Sequence, residues 1–213
     1  MRVIGLDLAG PGNTADTALV EGEVVGGRLV VRGARRGLDD ASIVAAVATA
    51  AQAGRVAAGL DAPLSYQMGG GDRPGDRALR ALAVRAGLAP GSVMTPTMTR
   101  MAYLTLRGIS LSRALAALPE PPRVAEVHPG AALALRGAPI ADVRDLKRSA
   151  PARARLLAWL ERAGVDGAAA LPADSDHLVA ACAAALAAWR WSAGEPAWCL
   201  RADPPAHPHD YVA

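Results

Sequence analysis

The sequence contains no phenylalanine, and aromatic residues make up only 3% of its 213 residues. Proteins that hold long nucleic-acid single strands stack the bases on aromatic side chains, so this composition disfavours a broad single-strand platform. Cysteine is also scarce, since only Cys182 and Cys199 occur and no CxxC pair is present. The cysteine pattern therefore indicates neither a disulfide framework nor a cysteine-rich zinc site.

Lysine is nearly absent too. Lys147 is the single lysine, and arginine carries the rest of the positive charge. The formal net charge is only +3. A small positive charge permits a polyanionic partner such as nucleic acid without requiring one.

The sequence also lacks a long apolar run. The alanine-rich stretch from Leu178 to Ala188 is too short to cross a bilayer. The first residues lead directly into a strand-like run, without the charged and apolar leader of a signal peptide. We therefore expect a cytoplasmic protein with no membrane partner. Its length is typical of a single domain, spanning residues 1–213.

Three short apolar runs, each typical of a buried strand, carry one carboxylate apiece: Asp7, Asp61 and Glu126. An ionised carboxylate in a buried strand is costly unless a metal ion or an arginine neutralises it. For Asp7 the alternative is an aspartate at a strand end that caps the following turn. The recurrence of the pattern favours a shared site.

The order of the elements predicts an α/β sheet with helices on both faces. Two strand-like runs joined by Gly26-Gly27 predict a hairpin, so the first three strands should form an antiparallel meander. An apolar-periodic helix after Asp39 then leads to the run Arg55–Leu60. Such a crossover places that strand parallel to the first, which brings Asp7 and Asp61 together at the carboxyl ends of neighbouring strands.

The residues between the second and third buried runs, about 65–120, are predicted to form a helical insert. Within it, Arg73, Arg77 and Arg80 are spaced by four and three residues, which puts them on one side of a helix that begins early enough. Arg73 and Arg77 are therefore candidate phosphate contacts. A solvated helix face is the alternative.

The last third of the chain adds a basic segment, a helix and a final strand. Lys147 lies in the most basic segment, which we expect to open a helix that runs to about Ala163. It is a third candidate phosphate contact, with a surface lysine as the alternative. The run Pro196–Leu200 is the candidate last strand, and the tail after it looks irregular.

A fourth carboxylate, Asp176, lies in the first turn of the late alanine-rich helix, which Asp174 or Ser175 caps. The helix dipole alone would account for an acid there. Four carboxylates in one place would repel one another and raise each other's pKa unless cations were present. Oxygen ligands without clustered histidine or cysteine favour Mg²⁺ or Mn²⁺. Two such ions ~3.5–4 Å apart support phosphodiester hydrolysis.

Five segments together resemble domain-of-unknown-function family 429: GLDLAG, GLDAPLSY, GDRALRAL, VAEVHPGAAL and DSDHLVAACAAALAAW. The resemblance implies a ribonuclease-H-like mixed five-stranded sheet and a predicted nuclease activity. It also implies site acids at Asp7, Asp61, Glu126 and Asp176. His177 stands where that family usually has alanine, and it is a candidate extra ligand, general acid or substrate contact.

The resulting hypothesis is a nuclease that hydrolyses phosphodiester bonds with Mg²⁺ or Mn²⁺. Asp7 and Glu126 would hold or bridge the metals, Asp61 would complete one coordination sphere, and Asp176 would hold a second ion or orient water. Two alternatives stay open. One is a non-catalytic binding module with the same fold, and the other is an actin-like-fold phosphotransferase, although a second phosphate-binding hairpin is not visible.

Overall fold

The computed structural model describes residues 1–213 as eight β-strands and seven α-helices, with three short 3₁₀ segments. The strands are β1 (Arg2–Asp7), β2 (Ala18–Val25), β3 (Arg28–Arg36), β4 (Val56–Asp61), β5 (Arg123–Val127), β6 (Val165–Asp166), β7 (Cys199–Leu200) and β8 (Asp210–Val212). The helices are α1 (Asp40–Gln52), α2 (Pro74–Arg85), α3 (Thr99–Ala116), α4 (Pro129–Leu135), α5 (Ile140–Asp145), α6 (Ala150–Arg162) and α7 (Asp176–Ser192).

All eight strands belong to one mixed sheet, in the order β6-β3-β2-β1-β4-β5-β8-β7. Strands β1, β2 and β3 form an antiparallel meander, as the two glycines between β2 and β3 predicted. Strand β4 is parallel to β1, and β5 is parallel to β4. The predicted α/β class and the crossover that leads into β4 are therefore confirmed.

The predicted number of five strands is too small. One extra strand, β6, pairs with β3 at one edge, and β8 pairs in parallel with β5 at the other. Of the predicted last strand only Cys199–Leu200 is extended, and it lies outside β8. The strand next to β5 instead comes from the tail expected to be irregular. With three residues after a proline-rich stretch, β8 is too short to show strand periodicity.

The basic segment forms two helices instead of one. Helix α5 ends at Asp145, and α6 begins only at Ala150, where the Ser149 hydroxyl accepts a hydrogen bond from the Ala152 backbone N–H. Pro151 occupies the first turn of α6, where a missing N–H costs nothing. Lys147 is consequently in the turn between the helices and not on a helix face.

Helices cover both faces of the sheet and create two apolar cores. The larger core contains α7, α4 and α6 together with sheet residues such as Val3 and Ala125. The smaller core contains α1 and the second half of α3 together with Ile4 and Leu6. Successive strand residues thus point to opposite cores. None of the helices is long and apolar enough to cross a membrane.

Helix α7 lies unusually close to the middle of the sheet. A Cβ atom built on Gly5 would lie 2.0 Å from the Ala181 carbonyl oxygen, and one on Gly59 would lie 2.6 Å from the Ala184 carbonyl oxygen. The two glycines are neighbours in the β1–β4 register. Small residues on both surfaces therefore allow the helix backbone to approach the strand backbone.

We predict that Gly5→Ala destabilises the fold by about 3 kcal/mol or more, because the added methyl group meets helix backbone that cannot rotate away. The matched control is Gly33→Ala in β3, where a Cβ would meet no atom within 4 Å. Urea unfolding of both variants measures the difference. Equal stability of the two variants would contradict the close packing of α7.

Candidate functional site

A cavity of about 1030 Å³ opens at the carboxyl ends of β1, β4 and β5. Its lining includes seven of the eight candidate residues, namely Asp7, Asp61, Arg73, Glu126, Lys147, Asp176 and His177. Sheet ends of this kind are the usual position of sites in open α/β folds. The fold therefore brings together side chains that are up to 170 residues apart in sequence.

Asp7 and Asp61 line the cavity from neighbouring strands. They are direct partners in the β1–β4 register, so their side chains leave the sheet side by side on the face covered by α7. Burial, followed by the charge of Asp7, raises the pKa of Asp61 well above its ordinary value. Burial also raises the pKa of Asp7, although His177 partly opposes that shift.

The first turn of α7 adds Asp176 and His177. The Nδ1 atom of His177 lies 2.8 Å from Oδ2 of Asp7, and this contact raises the pKa of the imidazole. Its Nε2 atom lies 3.8 Å from Oδ1 of Asp176 and 3.6 Å from Oδ1 of Asp16. His177 therefore orients Asp7 and lies close to three carboxyl groups, those of Asp7, Asp16 and Asp176.

Glu126 faces the opposite side of the sheet. It is level with Leu60 in the β4–β5 register, one residue before Asp61, so its side chain points away from α7. Its two oxygens accept hydrogen bonds from Arg73, Nη1 to Oε2 at 2.7 Å and Nη2 to Oε1 at 2.5 Å. The Leu64 backbone N–H donates a third bond at 2.8 Å. We therefore assign Glu126 to a buried ion pair instead of to the expected metal ligation.

Arg73 is equally occupied. Besides Glu126, it binds Asp76 through Nε at 3.0 Å and Nη2 at 2.7 Å, and it donates from Nη1 to the Ser65 hydroxyl at 3.0 Å. The side chains of Arg73 and Asp76 are 5% and 1% exposed. All the N–H directions of the guanidinium are taken by protein acceptors, so the predicted contact from Arg73 to a phosphate is not available in this arrangement.

The predicted arginine face does not form, because α2 begins at Pro74 and leaves Arg73 as its N-cap residue. Arg77 is exposed, does not line the cavity, and donates from Nη1 to the Asp72 carbonyl oxygen at 2.7 Å. Arg80 pairs with Asp72 instead. The spacing of Arg73, Arg77 and Arg80 fits one face of a helix, but α2 begins after Arg73, so the three side chains do not share a face.

Lys147 does line the cavity, from the turn between α5 and α6. It is exposed, forms no ion pair, and its positive charge lowers the pKa of both Asp7 and Asp61 in opposition to burial. Arg148 from the same turn and Arg100 from α3 also line the cavity without an ion-pair partner. The cavity thus combines acids at its base with cations that are free to meet an anion.

The acids that meet in the cavity could form a smaller metal site than the four-carboxylate site expected from the sequence. No group of three or more histidine, cysteine, aspartate or glutamate side chains is arranged to hold a metal ion. The adjacent carboxyl groups of Asp7 and Asp61, with raised pKa values, do fit a divalent cation. Mg²⁺ commonly uses one or two carboxylates and fills its other positions with water and substrate phosphate.

Tyr211 and the acceptors around Arg73 were not predicted from the sequence. Tyr211 lines the cavity from β8, and its ring lies 5.2 Å from the Arg73 guanidinium carbon. His207, also in the tail, places Nδ1 2.9 Å from the Ser65 hydroxyl. The one available signal was the apolar pair of residues after Asp210, since nothing else in the tail distinguishes it from a loop.

A family described as "Protein of unknown function (DUF429)" matches residues 5–206. The chain belongs to this family. The match begins within β1, continues through β7 and ends before β8, so Tyr211 lies outside it. Neither a curated protein nor a solved structure matches the chain.

We predict that Asp61→Asn raises the melting temperature at neutral pH in chelator-containing buffer. The pKa of Asp61 is raised in the folded protein, so the ionised side chain lowers the stability of the fold. This loss of stability grows as the pH rises above the ordinary carboxyl pKa of 3.8 and disappears below it. The gain should therefore shrink as the pH falls towards 4. Asp166→Asn is the control, because Arg28 lowers the pKa of that exposed acid and its removal should not stabilise. A gain in melting temperature that does not change with pH would contradict the raised pKa of Asp61.

We also predict that Arg73→Met destabilises the protein more than Glu126→Gln. The methionine variant leaves two buried carboxylates without a cation, at a cost of about 3–5 kcal/mol or more, whereas glutamine leaves Arg73 paired with Asp76. Arg80→Met, which breaks a partly exposed pair, should cost least. Chemical denaturation measures the three losses. The opposite ranking would show that Arg73 does not hold this cluster together.

Proposed function

We propose that this protein is a divalent-metal-dependent hydrolase of phosphodiester bonds in a nucleic acid, built on a ribonuclease-H-like core. The observation that carries the proposal is the pair Asp7 and Asp61 at the base of a large cavity whose Lys147, Arg100 and Arg148 lack ion-pair partners. Paired acids suit a divalent cation, and unpaired cations suit the phosphates of a polyanion.

The sheet supports the same proposal. A ribonuclease-H-like core has five strands, with the first three antiparallel and the fourth parallel to the first. In support of the proposal, β1 to β3 are antiparallel, β4 is parallel to β1, and β1 to β5 occupy five adjacent positions in the order β3-β2-β1-β4-β5. The three additional strands extend the two edges, and the acids lie at the centre.

Asp7 and Asp61 would hold Mg²⁺ or Mn²⁺, which supplies charge stabilisation for a developing oxyanion and an activated water. Asp176, 24% exposed at the first turn of α7, lines the same cavity and would orient water or support a second ion. His177 fixes the orientation of Asp7 through the 2.8 Å contact. Lys147 neutralises a substrate phosphate in front of the two acids.

A non-catalytic binding module is the second candidate. It is favoured by the lack of a three-ligand metal cluster and by the ion pair that occupies Glu126. In such a module the same cavity would bind a polyanion through its cations, and the acids would serve only to repel incorrect ligands. The two candidates differ in whether phosphodiester bonds are broken.

The test compares wild type with Asp7→Asn on DNA, RNA, hybrid and branched substrates, with Mg²⁺, with Mn²⁺ and with chelator. We expect wild-type cleavage that chelator abolishes and that Asp7→Asn lowers by 100-fold or more, since ~2.7 kcal/mol of lost transition-state stabilisation has that effect. The matched control is Asp166→Asn, which removes an exposed carboxylate from β6 and should cleave like wild type.

Metal binding gives a readout that is independent of activity. Mn²⁺ should raise the melting temperature of wild type and of Asp166→Asn, but not that of Asp7→Asn, because a ligand that binds only the folded state stabilises it. Cleavage that survives in Asp7→Asn or in chelator would contradict the proposed hydrolase. Substrate binding without any cleavage would favour the binding module.

A further inference from the structure

The hydroxyl group of Tyr211 is a polar group in the cavity that the proposed function does not use. Tyr211 is 8% exposed and lines the cavity at the base of which Asp7 and Asp61 lie. Its phenolic oxygen makes no hydrogen bond within the protein, and it is not among the fully enclosed polar atoms, so it is open to the cavity. A hydroxyl group that is open to a cavity and has no partner within the protein is free to bond a molecule in that cavity.

The ring of Tyr211 is held firmly by its surroundings. Trp198 contacts it edge-on with ring centroids 5.4 Å apart, and the Arg73 guanidinium carbon lies 5.2 Å from its centre. On the strand side, Tyr211 is the register partner of Glu126. These contacts fix the direction of the hydroxyl group before any ligand arrives.

The neighbouring acids are held by Arg73 and make no hydrogen bond to the Tyr211 hydroxyl group. Both oxygens of Glu126 and both oxygens of Asp76 already accept hydrogen bonds from Arg73. Arg73 has no free N–H to offer a ligand. Within this cluster, Tyr211 is therefore the donor that remains for a molecule in the cavity. Burial raises the pKa of Tyr211 well above its ordinary value, so the phenol keeps its proton at neutral pH.

We infer that Tyr211 is a substrate-binding residue whose hydroxyl group donates a hydrogen bond to a phosphate oxygen of the bound nucleic acid. The inference rests on the proposed function for the identity of the acceptor. Tyrosine hydroxyls are common donors to phosphate oxygens in protein–nucleic-acid complexes. Tyr211 thus takes the role that the sequence assigned to Arg73, whereas Arg73 fixes the ring on which the hydroxyl is carried.

Tyr211→Phe tests the inference, because it removes the hydroxyl and keeps the ring contacts with Trp198 and Arg73. The matched control is Tyr103→Phe on α3, where the tyrosine is 69% exposed. The probes are fluorescein-labelled 20-nucleotide DNA and RNA, single-stranded and double-stranded, with Ca²⁺ for binding and with Mn²⁺ for cleavage. Thermal melting establishes that both variants are folded.

We expect Tyr211→Phe to raise Kd and KM together by about 10-fold or more, the loss typical of a hydrogen bond to a charged group, with little change in kcat or melting temperature. Tyr103→Phe should match wild type. An unchanged Kd and KM in Tyr211→Phe would overturn the inference while leaving the hydrolase proposal intact. Weaker binding by Tyr211→Phe in a protein that cleaves no probe would support the inference and overturn the hydrolase. No binding of wild type to any probe would overturn the inference itself.

Discussion

The close approach of α7 to the sheet is the constraint on which the candidate site depends. Gly5 and Gly59 have no side chains to hold the helix away, and the alanines of α7 have only methyl groups. Helix α7 runs from Asp7 at the carboxyl end of β1 back towards Met1, near which Ser192 lies. The first turn of the helix is therefore set directly above the ends of β1 and β4, where Asp176 and His177 meet Asp7. A larger side chain at either glycine would lift the helix and separate these groups.

The sheet itself divides the acids into two chemical environments. Asp7 and Asp61 point to the α7 face, have no arginine partner, and keep raised pKa values. Glu126 points to the other face, where Arg73 neutralises it within a network that includes Asp76. A shift of one residue along β5 is enough to separate the two roles, since alternate side chains leave opposite faces. Asp7 and Asp61 are therefore available for ligand chemistry, whereas Glu126, through Arg73, holds the insert helix α2 against the end of β5.

The cost of the Asp7–Asp61 pair is typical of a functional site. Two adjacent carboxyl groups with raised pKa values oppose folding at neutral pH unless a cation or a proton joins them. The cavity that contains them also has cations without protein partners and a hydroxyl group without an acceptor. Cations without protein partners beside two adjacent acids in one cavity are more readily explained by a charged ligand than by stability, for which pairing them with one another would have served better.

The sequence by itself determined the main order of the fold and three of the groups in the cavity. Gly26-Gly27 predicted the hairpin, the crossover predicted a parallel β4, and a carboxylate at the end of each neighbouring run predicted that Asp7 and Asp61 meet. These inferences succeed because hairpins, crossovers and strand ends are governed by local geometry. Asp176 followed from the start of α7, another local signal.

Only the tertiary structure decided which face each side chain occupies and which partner it finds. The register between β4 and β5 put Glu126 on the opposite face, and the start of α2 at Pro74 turned Arg73 from a helix-face cation into a buried partner of Glu126 and Asp76. The short strand β8 brought Tyr211 into the cavity from a tail with no strand periodicity. Register and long-range pairing arise from the simultaneous packing of segments far apart in the chain, so no local pattern of residues specifies them.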